Sequence, residues 1–372
     1  MNAHSRSSAI AAINAVGQSI WYDNLSRDVL TSGHLKSLID QGVSGLTSNP
    51  TIFKKAIADS TDYDQAILAL RGKAATADAL CEELFIQDVG AACDLLRPVY
   101  DTTNGADGYG SLEVSPELAH STEGTLEAAR RLWSALKRPN LMIKVPATPE
   151  GIPAIQQLIS EGINVNVTLI FSAAVYDSVM EAYLAGLESR AARGLPVKGI
   201  ASVASFFVSR VDSIVEKTLA AKGKSDVLAQ LIGKIGIANC RVAYQHYLKV
   251  IGTDRWKKLA AAGAQVQRPL WASTGTKNPA FSPVLYVEAL VGKDTVNTVP
   301  PATLDAIFKG VTLGQTVADS VDEASRHLGV LEGAGVDLGE LLLVLQREGV
   351  QLFKDSYREL IASIESKRDS LA

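Results

Sequence analysis

The sequence predicts an α/β protein, a (β/α)8 barrel of TIM type with additional C-terminal helices. Three observations predict it. Short apolar runs alternate with longer helical patterns, the runs number eight, and the segment after residue 310 carries helical patterns with no further run. Alternating strands and helices make βαβ units and a parallel sheet, and eight units fit a closed barrel better than an open sheet.

In chain order the runs are SIWYD (19–23), SGLTSN (44–49), SLEVS (111–115), LMIKVPA (141–147), NVNVTLIF (164–171), IASVASFFV (200–208), PLWAST (269–274) and TVNTVP (295–300). Helical patterns such as TEGTLEAARRLWSALKR (122–138) and SAAVYDSVMEAYLAGLESRAAR (172–193) lie between them. The stretch from Asp59 to Asp107 shows two helical patterns and no clear strand, and TTNGADG (102–108) reads as a loop. Beyond the eighth run, DSVDEASRHL (319–328) and LGELLLVLQREGVQLFKDSYRELIASIES (338–366) read as helices. The expected organisation is a barrel over residues 1–310 and a helical extension, 311–372, packed on it as part of one overall domain.

Composition narrows the function. A net charge of −4 with scattered Lys and Arg gives no basic footprint, so no nucleic-acid partner is expected. No apolar window is long enough to span a bilayer, so no membrane role is expected. Cys81, Cys93 and Cys240 form no CxxC, and the first residues, MNAHSRSSAIAAINAVGQ, lack a signal-peptide core. Both features lead to an expectation of a reducing cytoplasm. The five histidines are widely scattered and make no local metal pattern.

Barrel enzymes place their chemistry at the C-terminal ends of the strands. Asp23 ends the first run, and Asn49 ends the second before Pro50. The third carries Glu113 and the fourth Lys144, on the same side as Met142. The fifth carries Asn166 and Thr168, two apart and therefore on one face. Ser205 and Arg210 follow on the sixth, and Ser273 and Lys277 at the end of the seventh.

An amine among apolar neighbours is more readily found neutral, and a neutral amine attacks a carbonyl to form a Schiff base. Glu113 suits the proton transfers that dehydrate the adduct, through a water held by Thr168. Asp23 suits removal of a hydroxyl proton during carbon–carbon cleavage. Asn49 and Asn166 suit sugar hydroxyls, and Arg210 and Lys277 near serines suit a phosphate. Each residue also has a plainer reading. Lys144 paired with Glu113 is, taken alone, the stronger one. Asp23 and Asn49 fit turns, Arg210 fits a helix start, and Ser205 and Ser273 fit tight packing. Their joint placement at strand ends raises the functional reading.

These stretches resemble the transaldolase family. LTSNPTIF is similar to its asparagine–proline motif, GYGSLEVSPELA to its glutamate motif, LMIKVPAT to its Schiff-base lysine motif and NVNVTLIFS to its asparagine–threonine motif, all in the family's order. Length and tail resemble the longer bacterial branch. The resemblance implies that Lys144 forms the Schiff base and Asp23 is the acid/base of cleavage. It implies that Glu113 and Thr168 position the relay water, that Asn49 and Asn166 hold the dihydroxyacetone fragment, and that Ser205 and Arg210 bind phosphate. It implies an enzyme with no cofactor and no metal, acting on sugar phosphates: sedoheptulose 7-phosphate and glyceraldehyde 3-phosphate exchange a three-carbon unit to give erythrose 4-phosphate and fructose 6-phosphate. A monomer or homodimer is expected. Two departures stand out. Phe206 replaces the proline of the phosphate motif, and STGTKNP offers Lys277 where many relatives place an arginine.

Three other functions remain in view. A fructose-6-phosphate aldolase shares the lysine but is shorter and resembles this motif with tyrosine where Phe207 stands. A non-catalytic sugar-phosphate-binding barrel would not need Lys144, Asp23 and Glu113 together. A keto-acid aldolase would place an arginine near the lysine, where this chain has asparagine and threonine.

Overall fold

Along LMIKVP the side chains alternate between two environments. Leu141, Ile143 and Val145 join the apolar layer under the helices, while Met142 joins a second cluster with Trp21, Tyr109, Val203, Leu270 and Val296 inside the barrel. That period of two places Lys144, two residues after Met142, on the inner face. A computed structural model describes residues 3–58, 60–72, 74–223, 226–314 and 316–371. Met1, Asn2, Asp59, Lys73, Lys224, Ser225, Gln315 and Ala372, which fall in stretches read above, lie outside the described residues.

The strands are β1 (Gln18–Asp23), β2 (Gly45–Thr47), β3 (Tyr109–Glu113), β4 (Leu141–Pro146), β5 (Val165–Ile170), β6 (Ser202–Phe207), β7 (Arg268–Ala272) and β8 (Thr295–Val299). All pair in parallel in sequence order, and β8 returns to β1 to close the barrel. Several helices between them begin where the sequence supplies a capping oxygen. Ser121 accepts from Gly124 N–H, Ser172 from Val175 N–H and Thr76 from Ala79 N–H. The segment Asp64–Thr102 forms the two expected helices, Asp64–Leu70 and Ala77–Thr102. An N-terminal helix, Ala3–Val16, was not foreseen; its pattern has no strong apolar stripe to mark it.

Several strand ends differ from the expectation for identifiable reasons. β2 stops at Thr47 because Asn49 Oδ1 accepts the N–H of Ile52 at 3.1 Å and so starts the helix Pro50–Ala58. β7 stops at Ala272 because Ser273 takes a left-handed backbone, φ +56°. β3 begins two residues early at Tyr109, stacked edge-on against Tyr100 at 5.5 Å.

The N-terminal end of the barrel is plugged. Asp107 accepts from Trp21 Nε1 (2.8 Å), Ser44 Oγ (2.8 Å), Gly108 N–H (3.1 Å) and Ser19 Oγ, with Arg268 at 3.7 Å. Trp21 fits there because β2 opposes it with Gly45; a Cβ at that position would fall 2.4 Å from the indole. The opposite, C-terminal end is crossed by the long helix Leu338–Ser370. Gln346 Nε2 donates to Ala147 O at 2.8 Å, Thr51 Oγ1 donates to Ser356 Oγ at 2.9 Å, and Arg358 pairs with Glu117 at 2.7 Å. Among the described residues no helix is long and apolar enough to cross a membrane.

Candidate active site

Parallel register sets the site. Glu113 on β3 pairs with Lys144 on β4, and Lys144 pairs with Asn166 on β5, so three polar side chains enter the barrel in one layer. Asp23 on β1 pairs with Thr47 on β2, whose hydroxyl donates to Asp23 Oδ1 at 2.7 Å. A cavity of about 690 Å³ opens at this end of the barrel. Its walls include Asp23, Asn49, Lys144, Thr168, Ser205, Arg210, Ser273 and Lys277, eight of the ten residues singled out in the sequence. Glu113 and Asn166 lie behind that wall, each within reach of a residue on it.

Lys144 Nζ is 3.2 Å from Glu113 Oε2, and each side chain keeps only 7% of its surface exposed. Its other partner is Ser48 O, to which it donates at 3.1 Å. Burial pushes the Glu113 carboxyl above its usual range; Lys144 opposes that shift and Asp23 adds to it. The Asp23 carboxyl is also raised by burial, against the pull of Lys144, the Thr47 hydrogen bond and Lys277. Two carboxyls that take up protons easily therefore flank one amine. Among the described residues, buried Thr168 Oγ1 has no hydrogen-bond partner, and Glu113 Oε2 has only the Lys144 ammonium beside it. Buried polar atoms of this kind are satisfied by an ordered water or a ligand.

Asn166 is committed on both sides of its amide. Its Nδ2 donates to Ser111 Oγ at 3.1 Å, and its Oδ1 accepts from Ser205 Oγ at 2.7 Å. Ser205 thus gives its proton to Asn166, and its hydroxyl has no proton left for an anion. Asn49 uses Oδ1 to cap a helix and lines the cavity. Arg210 sits in the first turn of the helix Ser209–Lys222, 5.2 Å from the centre of the Phe207 ring. Burial lowers the hold of Arg210 on its proton, opposed only by the field of Glu348. Neither Arg210 nor Lys277 makes an ion pair among the described residues, although both line the cavity. Two residues at this mouth, Leu169 and Ser273, have left-handed backbone, φ +58° and +56°. Leu169 marks a register shift between β5 and β6 directly after Thr168. Such irregularities re-aim side chains beside functional sites.

Sequence reasoning missed Thr47, Thr298 and the contribution of the C-terminal helix. Thr47 Oγ1 lies 2.5 Å from Thr298 Oγ1 as well as bonding Asp23. Thr47 was legible as the inward residue of LTSNP. Phe353 was not, because nothing local in QLFKDSY distinguishes it from an ordinary core position.

A closed barrel with a buried amine between two proton-accepting carboxyls, at the active end, defines the class of lysine-bearing (β/α)8 enzymes. A family model for Transaldolase/Fructose-6-phosphate aldolase matches residues 20–364. The chain is 46% identical over 366 residues to Transaldolase 2 of Nostoc sp. (strain PCC 7120), covering 95% of this chain and 96% of that one. It is 46% identical over 366 residues to a transaldolase of Mycobacterium tuberculosis, with 98% of each chain covered. To a transaldolase of Saccharopolyspora erythraea it is 47% identical over 364 residues, covering 97% and 98%. The chain belongs to the transaldolase/fructose-6-phosphate aldolase family.

Proposed function

We propose that the protein is a transaldolase of the non-oxidative pentose phosphate pathway, working through a Schiff base on Lys144. One observation carries the reading: a buried amine 3.2 Å from Glu113, on the wall of a cavity that Asp23, Arg210 and Lys277 also line. Lys144 passes a proton to Glu113, whose raised affinity for protons suits it as acceptor. The neutral amine then adds to the ketose carbonyl. Glu113 returns a proton to the departing hydroxyl, through a water held by Thr168, and leaves the iminium. Asp23 takes the proton of the hydroxyl next to the bond that breaks. The aldehyde departs, and a three-carbon enamine stays on Lys144. Its carbon attacks the incoming aldehyde, and the steps reverse.

Asn49 holds a hydroxyl of the three-carbon unit, and Asn166, with one N–H on Ser111 and its Oδ1 taken by Ser205, offers its remaining N–H to another. Arg210, the start of the helix Ser209–Lys222, Ser273 and Lys277 receive the phosphate. The reading calls for sugar-phosphate substrates, no metal or cofactor, and a cytoplasmic enzyme acting as a monomer or homodimer. Near-full-length similarity to proteins named transaldolase favours it over the shorter aldolases and over a binding-only barrel. The test is to incubate the protein with fructose 6-phosphate, reduce with borohydride and map the adduct by mass spectrometry. A sugar-sized or three-carbon adduct on Lys144 is expected. Folded, sugar-binding protein with no adduct there would make the lysine structural.

A further inference from the structure

The C-terminal helix brings an aromatic ring to the reacting amine. Phe353 lines the cavity, and the centre of its ring lies 5.6 Å from Lys144 Nζ and 5.9 Å from the Arg210 guanidinium carbon. Three contacts on the same helix face hold it there. Gln346 bonds Ala147 O, three residues beyond Lys144. One turn before the ring, Gly349 lets the helix approach β5; a Cβ there would stand 3.0 Å from Leu169 Cδ2. One turn after it, Ser356 accepts from Thr51. Phe353 belongs to the inner apolar cluster with Phe171 and Phe207. It is 5% exposed, yet it faces two cations across a cavity.

We propose that Phe353 is a specificity-determining residue, an aromatic wall that keeps water from the carbon–nitrogen adduct on Lys144 and so makes the enzyme a transferase rather than an aldolase. The proposal rests on the Schiff-base reading of Lys144. The enamine has two fates. Its carbon attacks an acceptor aldehyde, or it takes a proton to give the iminium. In the second case water adds to the iminium carbon, the C–N bond breaks, and the free amine and dihydroxyacetone result without any redox change. A ring whose centre lies 5.6 Å from Nζ obstructs that water.

The test uses the full chain with Phe353→Ala and Phe353→Leu. Fructose 6-phosphate is supplied with and without an aldehyde acceptor, and three quantities are read: transfer rate, free dihydroxyacetone release, and borohydride-trapped adduct on Lys144. The alanine variant is expected to trap adduct still, with the release-to-transfer ratio raised at least about tenfold. Leucine, which restores apolar bulk, should return the ratio towards that of the unmodified enzyme. Should the alanine variant fail to fold, Phe353→Gln is compared with Phe353→Leu, and the polar side chain should give the higher ratio. An unmoved ratio, or transfer and release falling in equal proportion, overturns the role of Phe353 alone. No adduct on Lys144 in the unmodified protein overturns the lysine reading, and this proposal with it.

Discussion

Replacing Lys144 with methionine removes a charge from a buried pair while keeping most of the side-chain volume. At 3.2 Å and an effective dielectric constant of about 20, the attraction between Lys144 and Glu113 is about 5 kcal/mol. Part of that only offsets the desolvation of two side chains that are 7% exposed. Breaking such a pair by removing one partner costs roughly 3–5 kcal/mol, because the other charge stays buried. Lys144→Met should therefore lose about that much stability at pH 8, measured by urea unfolding. The double variant Lys144→Met/Glu113→Gln should come back to within about 1.5 kcal/mol of the unmodified protein, the residue being the Ser48 carbonyl left without its donor. The loss must also depend on pH in one direction. Without Lys144, the Glu113 carboxyl binds its proton more tightly in the folded than in the unfolded state. A raised carboxyl penalises the fold fully above its folded pKa, and the penalty fades as pH falls towards the unfolded value. The single variant should thus recover stability on acidification. A loss below about 1 kcal/mol at pH 8, or a double variant no better than the single, would refute the claim that Lys144 and Glu113 compensate each other's buried charge.

Other outcomes follow from the same geometry. Asp23→Ala should still trap the sugar on Lys144 but turn over about 10²-fold or more slowly, measured as trapped adduct against steady-state rate; loss of the adduct as well would reassign the roles of Asp23 and Glu113. Arg210→Ala should lower kcat/KM for phosphorylated ketoses by about 10–100-fold and leave unphosphorylated donors little changed, measured with matched donor pairs. Asp212 is buried beside Tyr286 (2.8 Å) and Gly236 N–H (2.8 Å), and burial raises its pKa from 3.8 to about 6. The folded state then holds more protons than the unfolded one between those values, so the penalty is full above about pH 6 and fades towards pH 4. Asp212→Asn should be more stable than the unmodified protein by about 1–3 kcal/mol at pH 8 and lose that advantage near pH 4, checked by thermal unfolding at both.

The barrel was legible because each strand is a short apolar run whose alternation the parallel sheet preserves. LMIKVP shows it best: its odd positions pack under helices and its even positions face inward, so Lys144 is inside by arithmetic. Glu113 was legible for the same reason, one strand away. Strand ends were less so. Asn49 looks like a strand residue until its side chain is seen to cap a helix, and Ser273 until its backbone turns left-handed. Both depend on a local hydrogen bond or dihedral that residue type only suggests.

What periodicity hides is the partner that arrives from far along the chain. Ser205 reads as a phosphate ligand when only β6 is considered. In the barrel its proton goes to Asn166, 39 positions away, while Arg210 and Lys277 line the cavity beside it. Phe353 is the larger case. More than two hundred residues of chain separate it from Lys144, and its helix repeats apolar positions as any surface helix does. Its place over the amine is set by Gln346 at the end of β4 and by a glycine where a side chain would strike Leu169. The C-terminal helix therefore does two jobs with one face. The apolar contacts that bury it against the barrel also complete the wall of the cavity, so loosening the helix should alter the fate of the bound three-carbon unit before it unfolds the barrel.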